Sequence, residues 1–212
     1  MNKAAEYLTP ASVGESLIIE KKSKFYGICA PVTGRNKALE FIDEVRNRHG
    51  GADHNVWAYH LREGNLSHCS DNGEPSGTAG RPALGALQKA GIIDAVVVVT
   101  RYFGGTLLGT GGLTGAYSSA AVRAIKAAGT AVMTLCRVYS VVIDYPLYDR
   151  IIKLYADNGY RTDSPEFTGK VTLYCTVKAT ETQAFLDMTR EISRAAATVV
   201  LIKEEFMPYD IK

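Results

Sequence analysis

Several residue types whose abundance would announce a specialised class are scarce in this chain. Its 212 residues include four cysteines (Cys29, Cys69, Cys136 and Cys175) and a single tryptophan. No two cysteines form a C-x-x-C pair, which argues against a zinc site or a disulfide framework and for reduced thiols. No apolar run reaches the roughly 18 residues that a membrane-crossing helix needs. The longest block, at 95–100, is strand-sized. Residues 1–7 hold no apolar stretch before a cleavage site, so no secretory signal is expected and the cytoplasm is the expected location. An excess of one charge is also missing: 24 basic and 22 acidic side chains leave a net +2. That balance does not by itself mark a nucleic-acid binder. Neither repeats nor low-complexity segments occur.

What is present is unevenly spread. Residues 1–137 carry a balance of +4 and residues 138–212 one of −2. Fourteen of the 20 glycines lie between Gly50 and Gly115, and only three follow. Two units are therefore expected, with any polyanion meeting the first. Backbone geometry is expected to be most constrained in the glycine-rich middle.

In the first unit, 16–20 and 25–31 read as strands joined by a basic turn, Lys21-Lys-Ser-Lys24. Leu39, Ile42 and Val45 recur at helical spacing within 36–48. Residues 56–61 alternate as a strand, and 71–75 are dense in turn formers. Pro82 suits the first turn of a helix that sends Leu84 and Leu87 to the core. Residues 92–101 read as a buried strand, 104–112 as a loop, 113–128 as a helix and 130–137 as a strand. The second unit reads as a strand at 138–144, a helix at 147–158, strands at 160–165 and 170–178, a helix at 180–195 with Thr180 or Thr182 as its cap, and a strand at 198–206. That βαββαβ order is the ferredoxin-like pattern.

Two segments carry most of the chemistry. The first is Ser70-Asp-Asn-Gly-Glu-Pro-Ser-Gly-Thr-Ala-Gly-Arg-Pro82. Here the carboxylates of Asp71 and Glu74 and the hydroxyls of Ser76 and Thr78 either form a recognition surface or satisfy the loop's own backbone. The second is Val99-Thr-Arg-Tyr-Phe-Gly-Gly-Thr-Leu-Leu-Gly-Thr-Gly-Gly-Leu113. A glycine-rich backbone running into a helix start suits an anion, with Arg101 as a phosphate contact and Tyr102 or Phe103 as a stacking platform. The alternative is a tight turn with aromatic core residues. Neither nucleotide fingerprint is met: Thr110 follows Gly109 where the Walker loop needs lysine, and Thr114 stands where the dinucleotide pattern needs glycine. His54 and His60 share a strand face but lie about 20 Å apart at 3.3 Å per residue, so no metal site is expected. His49 and His68 read as surface residues.

Gly73-Glu-Pro-Ser-Gly-Thr-Ala-Gly80 and Arg101-Tyr-Phe-Gly-Gly-Thr106, followed by Leu108-Gly109 and Gly112-Leu113, resemble the YigZ/IMPACT family. Lys24-Phe25 and His54 are similar to it as well. The resemblance spans nearly the whole chain. It implies an α+β protein with a ribosomal protein S5 domain 2-like unit over 1–137, similar to domain IV of elongation factor G. It further implies a ferredoxin-like unit over 138–212, similar to domain V of that factor. Eukaryotic relatives regulate translation through the activator of a stress-responsive initiation-factor kinase, using an additional domain this chain lacks. Where the family commonly has a second Asp, this chain has Asn72. The site residues carried over by position are His54, Asp71, Glu74, Ser76, Thr78, Arg101, Tyr102, Phe103, Gly104, Gly105 and Thr106.

The expected function is that of a non-enzymatic cytosolic protein that contacts RNA or the ribosome, or a protein partner in translation control, without cofactor, metal or membrane. One alternative is a small-molecule or nucleotide-binding enzyme using the 104–115 loop for phosphate, with Asp71 or Glu74 as base or cation ligand. A protein–protein adaptor is the other.

Overall fold

The computed structural model describes residues 5–209. Residues 1–4, part of the stretch read for a signal, lie outside them. The described chain is a mixed α+β protein with two antiparallel sheets and five α-helices. The described residues divide into two compact units, one of residues 7–131 and the other of residues 132–209 together with Ala5 and Glu6.

The first unit is built on a sheet of β2 (Gly14–Glu20), β3 (Ser23–Pro31), β6 (Ala95–Tyr102), β4 (His54–Leu61) and β5 (Leu66–Ser70), in that spatial order. Its central strand β6 buries side chains on both faces, which explains a run of valines without polar alternation. Val97 and Val99 join the core that contains residues of α2 (Gly80–Lys89) and α3 (Gly109–Ala128). Val96 and Val98 join the core containing Ala38, Ile42 and Val45 of α1 (Arg35–Arg48). Each valine so buried contributes roughly 1.5–3 kcal/mol. Strand alternation therefore sends Arg101 toward α2 and α3, and Tyr102 toward α1.

Close packing of α3 on the sheet requires small residues. A Cβ at Gly14 would fall 2.0 Å from the Ala128 backbone nitrogen, and the buried stripe of α3 includes Ala116, Ala120, Ala121 and Ala124.

Several expectations are corrected here. The β2–β3 turn is only Lys21-Lys22, both at positive φ (44° and 68°), because Ser23 already pairs with Glu20. Leu39 is 36% exposed and Ala38 takes its core place. The strand read from residue 92 begins at Ala95. Helix α3 begins at Gly109, so Gly109–Gly112, read as loop, are its first turn. Strands β1 (Glu6–Pro10) and β5 were not read at all, being only five residues long each.

In the second unit, β7 (Thr130–Ile143) runs unbroken through Arg137, where two strands were read. It pairs continuously with β10 (Val171–Lys178) over Cys136–Ile143 and, across a bulge at Ile202, with β11 (Thr198–Pro208) over Met133–Val142, and these partners hold it as one strand. The 160–165 strand is reduced to β8 (Arg161–Thr162), with β9 (Glu166–Phe167) beyond it. Between them, Asp163-Ser164-Pro165 favours a turn, and Pro165 has no N–H to pair. Helices α4 (Tyr148–Asp157) and α5 (Thr182–Ser193) are shorter than read. Glu181, rather than Thr180 or Thr182, stands at the cap of α5, and it makes no side-chain cap bond.

Candidate functional site

The loop after β5 is held by its own polar groups. Asp71 Oδ1 accepts the N–H groups of Ala79 (3.0 Å) and Gly80 (2.8 Å), and Oδ2 accepts that of Gly77 (2.8 Å). Burial acts to raise the Asp71 pKa, but these three N–H bonds and the Arg81 charge outweigh it and hold the carboxyl below its ordinary value. Thr78 Oγ1 donates to the Pro75 carbonyl at 2.6 Å. Asn72, at φ 45°, accepts the Asn55 N–H on its side-chain oxygen at 2.7 Å. Its own carbonyl receives His54 Nδ1 at 2.9 Å. A carbonyl only accepts, so His54 carries its proton on Nδ1 and directs Nε2 toward Glu74, 3.8 Å away.

This loop places Glu74 inside the protein. Its Oε1 accepts Arg101 Nη1 at 2.7 Å and the Tyr117 hydroxyl at 2.7 Å. Burial, then the Glu74 hydrogen bond, push the Tyr117 hydroxyl far above its ordinary pKa, so it remains a donor. Arg101 Nη2 donates to Ser23 Oγ at 3.3 Å. The guanidinium carbon lies 5.4 Å from the ring centres of both Phe25 and Phe103. Arg101 is 5% exposed, and its Nε has no hydrogen-bond partner among the described residues.

Above this polar floor opens a cleft of about 450 Å³. Asp53, His54, Glu74 and Arg101 line its polar part, while Pro75, Phe103, Leu107, Leu108 and Leu113 form apolar walls. Gly109 and Thr110, the first residues of α3, complete it. At the rim, Asp53 Oδ2 accepts the Phe103 N–H at 2.8 Å.

A second hollow, of about 370 Å³, lies between Lys22, Lys24, Tyr26, His49, Tyr102 and Phe103. The rings of Tyr26, His49 and Tyr102 are mutually in contact, with centroids 5.4–6.0 Å apart. His49 is half-buried rather than a surface residue, with Nδ1 3.0 Å from the Tyr102 hydroxyl. Burial, then the Arg48 charge, lower its pKa and keep the ring neutral. The 103–104 segment closes onto the hairpin: a Cβ at Gly104 would lie 2.1 Å from the Lys22 carbonyl carbon. Its N–H also donates to Ser23 Oγ at 3.1 Å.

The structure thus gathers His54, Glu74, Arg101 and Phe103 at the cleft, and Tyr102 with Phe103 at the hollow. Asp71 and Thr78 brace the loop, and Gly104 permits close approach. Ser76, Gly105 and Thr106 are exposed and line neither cavity. Arg101 is not an open phosphate contact: strand parity turns it inward, where Glu74 matches its charge. Both carboxylates offered as base or cation ligand are engaged internally, Asp71 by backbone and Glu74 by Arg101 and Tyr117. Sequence reasoning missed Ser23, Asp53 and Tyr117, as well as Tyr26 and His49. Among these, Ser23 lies within the basic turn and Tyr26 beside it, whereas Tyr117 carried no local signal.

Residues 21–125 match the Impact N-terminal domain. The chain is 32% identical over 194 residues to the IMPACT family member YvyE of Bacillus subtilis, covering 91% of this chain and 89% of that one. It is 31% identical over 198 residues to the IMPACT family member YigZ of Escherichia coli, covering 92% and 96%. A crystal structure of a protein described as hypothetical superposes with a TM-score of 0.64 at 30% identity, over 96% of this chain and 100% of that one.

Proposed function

The chain belongs to the IMPACT family, and from that premise we propose that it is a translation-associated protein of the cytoplasm that contacts single-stranded RNA, free or on the ribosome, as a binding protein rather than an enzyme. The observation that carries this reading is the hollow at the β2–β3 turn. Lys22 and Lys24 rise beside Tyr26, Tyr102 and the 47%-exposed Phe103, so phosphate charge and base stacking are met on one surface. Lys21 and Lys22 hold left-handed backbone that Asn-Gly would adopt without strain. Strain kept at an exposed basic turn accords with selection for its charge rather than its geometry.

The family's translation role, implied by the resemblance, supports the same reading. The strand order β11-β7-β10-β8, with the short β9 beside β10, is compatible with the ferredoxin-like arrangement that the proposal assigns to the second unit. The S5-like identity of the first unit, and the likeness of both units to elongation factor G, belong to this proposal.

Co-sedimentation with ribosomes, and binding of single-stranded RNA across a salt series, test it. Phe103→Ala should weaken binding by about 1–3 kcal/mol, the value of one aromatic–base stack. Absence of RNA and ribosome binding at low salt would refute the proposal.

A further inference from the structure

We propose that the free edge of β2 pairs with β2 of a second copy of this chain, antiparallel about a two-fold axis through Ile18. The pairing joins the two five-stranded sheets into one continuous sheet. β2 ends its sheet, with β3 as its neighbour on one side. A strand so placed carries a row of N–H and C=O groups that pair with another strand unless the edge is blunted. No residue of β2 lines the lysine-bearing hollow at the hairpin turn, so the proposal does not rest on RNA binding there.

The edge of β2 is not blunted. Ser16-Leu-Ile-Ile19 holds no charge, proline or bulge, and Leu17 and Ile19 stand 46% and 62% exposed. The contrast is β11, which pairs with β7 alone among the described residues. Its apolar stretch is interrupted by a bulge between Leu201 and Lys203 and followed by Lys203-Glu-Glu205, both of them devices that keep an edge from pairing. The approach to β2 is also open from above. Ser16 Oγ donates to the Ala120 carbonyl at 3.0 Å, and that turn of α3, Ser118-Ser-Ala-Ala121, has no side chain longer than serine's to overhang the edge.

Hydrogen-bond parity and charge together choose the partner and the register. The two-residue turn makes Glu20 and Ser23 a bonded pair, so Glu20, Ile18 and Ser16 turn their N–H and C=O groups to β3. Those of Ile19, Leu17 and Glu15 point to the open edge. Pairing about Ile18 sets Leu17 against Ile19 of the second copy, and Ile19 against its Leu17, as bonded pairs with their apolar side chains adjacent. Glu15 then faces Lys21 of the second copy, and Lys21 faces its Glu15, opposite charges in cross-strand positions. Glu15 is also bonded to Arg48 at 3.0 Å, and its exposed carboxylate can serve both cations. Moving the axis to Leu17 or to Ile19 would set Glu15 against Ile19 or Ser23 and lose the charge match. The strand is therefore complementary to itself in one register.

The test uses the full chain. Sedimentation equilibrium should show a reversible dimer with a dissociation constant below about 200 µM, as suits an interface of one strand per copy. Ile19→Lys puts a charge into the exposed edge and should weaken dimerisation at least tenfold with the fold intact. Ile202→Lys, at a similarly exposed position on β11, should leave it within twofold. The register is read by cross-linking with oxidised glutathione. Ile18→Cys sets two thiols across the axis with Cα atoms about 4.5 Å apart, within disulfide reach, and should form a linked dimer. Leu17→Cys places its thiols two positions out of step, with Cα atoms about 8 Å apart, and should link no more than the parent. A protein still monomeric at about 500 µM would overturn the proposal and leave the edge to a strand of another protein. An Ile19→Lys protein that dimerises like the parent would do the same, as would an Ile18→Cys protein that does not link.

Discussion

Replacing Lys21-Lys22 by Asn-Gly should move stability and RNA binding in opposite directions. Both lysines lie in the left-handed region, with φ of 44° and 68°, at the centre of a two-residue hairpin. A non-glycine residue there costs about 1–2 kcal/mol. Asn-Gly is the preferred pair for this turn, but glycine in place of lysine loses about 0.5–1 kcal/mol of unfolded-state entropy on folding. The net expectation is a gain of roughly 1 kcal/mol, a rise in Tm of about 3 °C. The same change removes two cations, so the slope of log K against log salt for single-stranded RNA should shrink by about 1.4. Thermal melts and a salt titration of binding on one protein preparation read both effects. Hairpin strain would be refuted by a lower Tm. The RNA surface would be refuted by an unchanged salt slope in a protein whose Tm has risen.

Three further outcomes follow from the cleft and its supports. Arg101→Ala leaves Glu74 buried without its counter-charge and should destabilise the fold by about 3–5 kcal/mol, read by urea unfolding; a loss under 1 kcal/mol would show that the pair is dispensable. Asp71 has a folded pKa below its ordinary value, so its stabilisation is complete above about pH 4 and drains away as pH falls through the depressed folded pKa. Asp71→Asn should therefore be less stable at neutral pH and lose less on acidification to pH 2.5, and parallel pH–stability curves for the two proteins would contradict this. Gly104→Ala would set a Cβ 2.1 Å from the Lys22 carbonyl carbon, which must shift backbone and should lower stability by about 1–3 kcal/mol while weakening RNA binding; wild-type melting would show that the loop does not press on the hairpin.

Much of this protein was legible from local pattern. The valine run in β6 and the three-residue spacing in α1 marked a strand and a helix without reference to anything distant. In the second unit the same periods marked α4, α5, β10 and β11, because hydrophobic period is a property of neighbouring residues. The two glycine-rich segments were also readable, since glycine and turn formers punctuate a chain wherever they occur. Five-residue strands such as β1 and β5 were not, because they are strands by virtue of their partners. The unbroken course of β7 through Arg137 likewise depends on β10 and β11 pairing across it.

The sequence by itself determined which segments hold the chemistry; only the tertiary structure decided what each residue does there. Strand parity is invisible until a sheet's faces are known, and it turns Arg101 inward onto Glu74 while Tyr102 joins Tyr26 and His49 on the opposite face. Tyr117 reaches Glu74 from 43 residues away, and Ser23 reaches Arg101 from 78. No local spacing encodes such pairs: they exist because pairing β3 with β6 in one sheet and packing α3 on that sheet bring separate parts of the chain to a single buried point, where each polar group must find a partner.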